Sequence, residues 1–147
     1  MAFLDVQRAS NGGSKMGAFI LGSCFIDCLA GFWVGRQSKG ADYRRFVQEY
    51  LPSYNAQELY SDLRCKLVHN YSEGGSYLFV DNKHALHFKR AGDERLIINL
   101  EDFILELEQA MNHFFSDLDS NIGLQMNAIA RFKSIGLLGV GKIRLVR

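Results

Sequence analysis

The sequence predicts a mainly α-helical single domain over residues 1–147, a bundle of four to five helices with a β-hairpin inserted near residues 77–89. Three observations predict this class. Apolar residues recur at i, i+3, i+4 and i+7 over most of the chain, the breaker clusters between these stretches are short, and no linker, internal repeat or low-complexity tract interrupts them. A chain of 147 residues buries one core without disulfides or a structural metal. With 48% hydrophobic and 22% charged residues it lies far from the disordered range.

Residues 1–15 end in the breaker cluster Asn11-Gly12-Gly13-Ser14, where Ser14 can cap a helix that begins at Lys15. The first predicted helix covers residues 15–35, and its stretch GAFILGSCFIDCLAGFWVG has nearly the apolar length of a membrane span. Asp27 sits at its middle, where a carboxylate at bilayer depth costs a few kcal/mol. The stretch also lacks the charged flank and cleavage site of a signal peptide. A buried central helix, with no membrane, is the reading, and Asp27 must then find a hydrogen-bond or ionic partner.

The second helix shows Tyr43, Phe46, Val47 and Tyr50 at i, i+3, i+4, i+7 and stops at Pro52, with Arg44, Arg45 and Glu49 on its other face. The third opens at Asn55 with Glu58 at capping-box spacing. Leu59, Tyr60, Leu63 and Leu67 form its apolar stripe, and it ends near Asn70, before Ser72, Glu73, Gly74 and Gly75. Two β-prone runs on either side of Asp81-Asn82-Lys83 predict the hairpin, which must pack on the helices or on a partner because a lone hairpin is marginal in water. Asn99 caps a strongly periodic helix whose apolar phase runs from Leu100 to Phe132, one long helix with Gly123 as a possible bend. The tail, residues 136–147, reads as an extended strand.

The net charge of +1 hides a segregation: eight carboxylates against one arginine over residues 91–119, then five basic residues and no acid over 120–147. A solvated helix face or a basic footprint for nucleic acid both fit. Cys24, Cys28 and Cys65 are odd in number and lack recurrent spacing, which favours a reducing compartment, cytoplasmic by default. Cys24 and Cys28, four apart on a helix, read as buried small hydrophobes. His84 and His87, three apart on a predicted strand, point to opposite faces and make a poor metal pair, and His113 falls on the polar side of its helix. No metal site and no cofactor are expected.

The stretch that reads as chemistry is Leu63-Arg64-Cys65-Lys66-Leu67-Val68-His69-Asn70-Tyr71, in the last two turns of the third helix. Metal-free RNA cleavage needs a base for the ribose 2′-hydroxyl, an acid for the leaving oxygen and a cation for the crowded phosphorane. Histidine suits the first two tasks and the permanently charged, fork-shaped arginine suits the third. On a regular α-helix, however, five steps of about 100° leave Arg64 and His69 roughly 140° apart. Alternatively, Arg64 pairs with Glu58, Asp62 or another surface acid while His69 caps the helix end.

This phrase resembles the motif helix of the HEPN superfamily (higher eukaryotes and prokaryotes nucleotide-binding), in the extended form Arg-x-x-x-x-His-x-Tyr of HEPN toxins. The specific resemblance covers residues 55–72; Cys65 stands where active members often carry Asn, Asp or His, and the hairpin is outside the minimal bundle. The resemblance implies a metal-independent endoribonuclease, a toxin or defence effector whose site forms when two motifs meet across a homodimer. It implies catalytic roles for Arg64 and His69, with Asn70 beside the site. Tyr71 would match the tyrosine that a partner antitoxin of nucleotidyltransferase type modifies with AMP. Arg44, Arg45, Lys66 and the C-terminal cations would serve RNA contact. Two other readings stay open: a catalytically silent HEPN-type module holding nucleotide, RNA or protein, and an unrelated helical interaction protein with an accidental motif.

Overall fold

Six helices and a small two-stranded sheet make up the described part of the chain, residues 2–71 and 75–135 of a computed structural model. Helix α1 (Ala2–Asn11) precedes α2 (Lys15–Val34) and α3 (Gly40–Tyr50). Helix α4 is one continuous run of three parts, Ala56–Glu58, Leu59–Leu67 and Val68–Asn70. Strands β1 (Tyr77–Val80) and β2 (Leu96–Asn99) come next, then α5 (Leu100–Ser120) and α6 (Ile122–Ile135).

Helix α2 is the hub, packing against α1, α3, α4, α5 and α6. It has the length and hydropathy of a membrane span, yet half of that window is buried inside the fold. Its buried Phe19 and Ile26 join Phe46, Leu63, Phe103, Leu107 and Phe114 in one core. Full burial of such a side chain contributes roughly 1.5–3 kcal/mol, so these seven alone outweigh any single polar contact in the molecule. Helix α2 ends where Gly35 takes φ +76°, a left-handed turn that glycine adopts without steric cost. The chain then turns into α3, whose Tyr43, Phe46, Val47 and Tyr50 are all buried, as their spacing predicts.

Several elements differ from the sequence reading. Residues 2–11 are a helix, held by buried Phe3 and Val6, which brings the helices among the described residues to six. The apolar phase from Leu100 to Phe132 is broken at Asn121, which adopts an extended backbone. The Asn121 Oδ1 accepts the Gly123 and Leu124 N–H groups at 3.0 and 3.2 Å, so asparagine capping, not a glycine bend, starts α6 on a new course back across α2. No hairpin forms near residues 77–89. Strand β1 pairs in parallel with β2, Tyr77 opposite Leu96 through Val80 opposite Asn99, and His84–Leu86 form a single 3₁₀ turn in the long connection that parallel pairing requires. Cys24 is exposed and Cys28 half-buried, not buried as expected; all three cysteines are free. The tail reading for residues 136–147 lies outside the described residues.

The α2–α3 corner is fixed by charge. Arg36 donates Nη1 to Asp42 Oδ2 at 2.8 Å and Nη2 to Oδ1 at 3.1 Å, and the Lys39 N–H donates to Oδ2 at 2.9 Å. The Arg36 hydrogen bond outweighs burial and holds the Asp42 carboxyl below its usual range. A depressed folded pKa stabilises the fold above the unfolded value of about 3.9 and that stabilisation is lost as pH falls through the folded value. Asp42→Asn should therefore lower the urea midpoint at pH 7, and its deficit should shrink as pH drops below about 4. An equal deficit at both pH values would show that the Asp42 charge plays no part.

Candidate active site

Helix α4 starts as its sequence predicts, with Asn55 Oδ1 accepting the Gln57 and Glu58 N–H groups at 3.0 and 3.1 Å. Leu59, Leu63 and Leu67 are fully buried. The middle part, Leu59–Leu67, winds as a π-helix, and the Val68 N–H reaches back to the Leu63 carbonyl five residues earlier. Such i→i+5 turns are wider than α turns and recur at functional sites. Here they remove the geometric obstacle of the motif: residue i+5 lies little more than one turn on, and Arg64 Nη1 meets His69 Nε2 at 3.1 Å.

A guanidinium only donates, so His69 accepts through Nε2 and carries its proton on Nδ1. The other side of Arg64 is anchored on α2, its Nε donating to Asp27 Oδ2 at 2.6 Å. Ser38 Oγ, in the α2–α3 connection, donates to Asp27 Oδ1 at 2.5 Å. The carboxylate in the middle of an apolar helix thus has both oxygens engaged, and Arg64 pairs with it rather than with Glu58 or Asp62. Burial alone would lower the Arg64 pKa, but the hydrogen bond and charge of Asp27 more than offset it and the net shift is upward. Among the described residues nothing bonds Arg64 Nη2, which leaves that donor for an anion.

His69 and Asn70 are exposed at the end of α4, and Tyr71 comes next at φ +49°, 67% exposed. An aromatic residue in the left-handed region is uncommon and costs about 1–2 kcal/mol; here it ends the helix and presents the phenol to solvent. Arg44 of α3 stacks on the Tyr60 ring at 5.1 Å, and Tyr60 lies beside Cys65 and Arg64, so Arg44 borders the site. Arg45 stacks instead on Trp33 at 5.1 Å. Lys66 is held by Asp62 at 2.8 Å, which commits its charge.

Ser38, and the place of Asp27 beside Arg64, are not readable from the sequence. The need of Asp27 for a partner was legible, but the partner, 37 residues away, was not. The structure does not put His84 and His87 where the sequence predicts. They lie at a 3₁₀ turn and the residue after it, not on a strand, and both meet carboxylates of α5: His84 Nδ1 at 3.1 Å from Asp102 and His87 Nε2 at 3.3 Å from Glu106. The Asn99 N–H donates to His87 Nδ1 at 3.0 Å, so the His87 proton sits on Nε2 and points at Glu106, which also accepts from the Tyr54 hydroxyl. This network ties the β1–β2 connection to α5. His113 lies 3.9 Å from Asp117. Comparison of the chain with protein-family models, curated proteins and solved structures returned no match.

Proposed function

We propose that the chain is a metal-independent endoribonuclease of HEPN type, a toxin or defence effector of a reducing, intracellular compartment. One observation carries the reading: the π-turns of α4 bring the permanent cation Arg64 onto the basic nitrogen of His69, with Asp27 fixing the arginine from behind. A phosphodiester entering beside Arg64 would take Nη1 and Nη2 as donors. The ribose 2′-hydroxyl would then replace Arg64 as the partner of His69 Nε2, which removes its proton as the oxygen attacks phosphorus. The guanidinium stabilises the charge on the phosphorane. One histidine cannot also protonate the leaving 5′-oxygen in the same step, so a second His69 from a two-fold partner supplies the acid. Arg44 adds positive charge at the rim. Tyr71, 67% exposed, would be the residue that a nucleotidyltransferase antitoxin modifies.

The test is cleavage of RNA by the purified chain in EDTA, with products ending in 2′,3′-cyclic phosphate and a sedimenting mass about twice that of the chain. A strict monomer at tens of micromolar that leaves RNA intact would defeat the mechanism. The catalytically silent binding module is favoured by a different observation, Cys65 beside Arg64, and it would show ligand binding without cleavage.

A further inference from the structure

Helix α6 packs on α2 with an unusual choice of residues. Half-buried Leu124, Asn127, Ala128 and Arg131 face inward, and Asn127 Nδ2 donates to the Trp33 carbonyl at 2.9 Å. The bulkier Ile122, Met126, Ile129 and Phe132 are 53–72% exposed. A helix that merely closed the bundle would turn its large apolar side chains in. The arrangement leaves a groove between α5 and α6, floored by Phe25, Leu29 and Phe32 of α2 and walled by Phe115 and Phe132, with a volume of about 670 Å³. That volume is within the range of small-molecule sites, roughly 300–1,000 Å³.

The lining decides the ligand. Apart from the Cys28 thiol it offers one polar side chain, Lys133, at the last turns of α6. Among the described residues no carboxylate pairs with Lys133, and the sequence holds no acid at all from residue 120 onward. A nucleotide or sugar would find none of the hydrogen-bond partners it needs there. An aliphatic chain would lose its water contact against aromatic rings, and one anionic head would meet one unpaired ammonium. We propose that this groove binds an amphiphile with a single carboxylate and a long aliphatic tail, of the fatty-acid class, its head on Lys133 and its tail between Phe115 and Phe132 over the α2 floor. The site is separate from the Arg64–His69 pair and holds whatever that pair does.

Laurate titrated calorimetrically into the full chain, below the concentration at which it aggregates, tests this, with dodecyltrimethylammonium as the charge-reversed probe of equal tail length. Saturable binding of one laurate per chain is expected, with little or none of the cation. Lys133→Glu should weaken laurate at least about tenfold, the loss of one charge-assisted contact, and favour the cation. Phe132→Asp should abolish laurate binding, and as Phe132 is 53% exposed the fold should survive, checked by circular dichroism. Absence of laurate binding would overturn the proposal, as would equal affinity for the two probes in the parent and in Lys133→Glu. So would a dimer that Phe132→Asp converts to monomer without any laurate binding, since the groove would then be a subunit interface.

Discussion

Replacing His69 by alanine is expected to abolish RNA cleavage while leaving thermal unfolding unchanged. His69 is exposed, its one polar side-chain partner among the described residues is Arg64, and exposed substitutions of this kind fall within about 0.5 kcal/mol in stability. On the proposed mechanism, loss of His69 removes a factor of about 10² to 10⁴ at each proton transfer it serves. Arg64→Ala is a less clean probe than its place near a helix end suggests. Arg64 is the counter-charge of Asp27, whose side chain is only 24% exposed, so the variant leaves a partly buried carboxylate with Ser38 alone and should lose stability as well as activity. Arg64→Lys separates the two effects. A lysine can still pair with Asp27 but cannot also reach His69 and a phosphate with a planar fork, so it should keep the fold and lose most of the cleavage. Asp27→Asn should act through Arg64, lowering kcat about tenfold or more with little change in KM, as expected of a positioning residue. Full activity in a pure His69→Ala preparation would sink the assignment, because no other histidine touches an arginine among the described residues.

What the sequence made legible was local. The boundaries of α2, α3 and α4 reflect Gly35, Pro52 and Asn55, each of which acts on its own few neighbours, and the buried stripes reflect simple spacing. The failures came where a distant contact decides. Asn121 is an ordinary polar residue inside a continuing apolar phase; only the packing of α6 back on α2 makes its extended backbone and capping side chain the better solution. Strand β2 was hidden because it runs without a turn into α5, Asn99 being at once the last strand residue and the residue before the helix. At the site the motif itself is readable, but regular α-helix geometry does not describe the turns that carry it. The π-turns that join Arg64 to His69 have no local residue signature, and the Asp27–Arg64 pair bridges two helices whose proximity no periodicity states.

Gly75→Ala is expected to destabilise the fold by about 2–4 kcal/mol, lowering the melting temperature by roughly 5–15 °C. Gly75 holds φ +84°, where a side chain adds about 1–2 kcal/mol of strain, and a Cβ there would also run into the carboxylate of Asp62. That carboxylate cannot yield. It is 2% exposed and fixed by Lys66 Nζ at 2.8 Å, the Ser76 N–H at 2.7 Å and Ser61 Oγ at 3.2 Å, so it pins the start of β1 to the π-turns that carry Arg64. Asp62→Ala should be costly for a different reason, since it leaves the Ser76 N–H without its acceptor and Lys66 without its counter-charge. The two together separate clash from strain. In Gly75→Ala/Asp62→Ala the methyl group has nothing to strike, so the double variant should be more stable than the sum of the single losses implies, by at least about 1 kcal/mol. Urea unfolding of the parent, both single variants and the double variant closes that cycle. Strictly additive losses would mean that the positive φ alone, and not the buried carboxylate of Asp62, is what requires glycine at position 75.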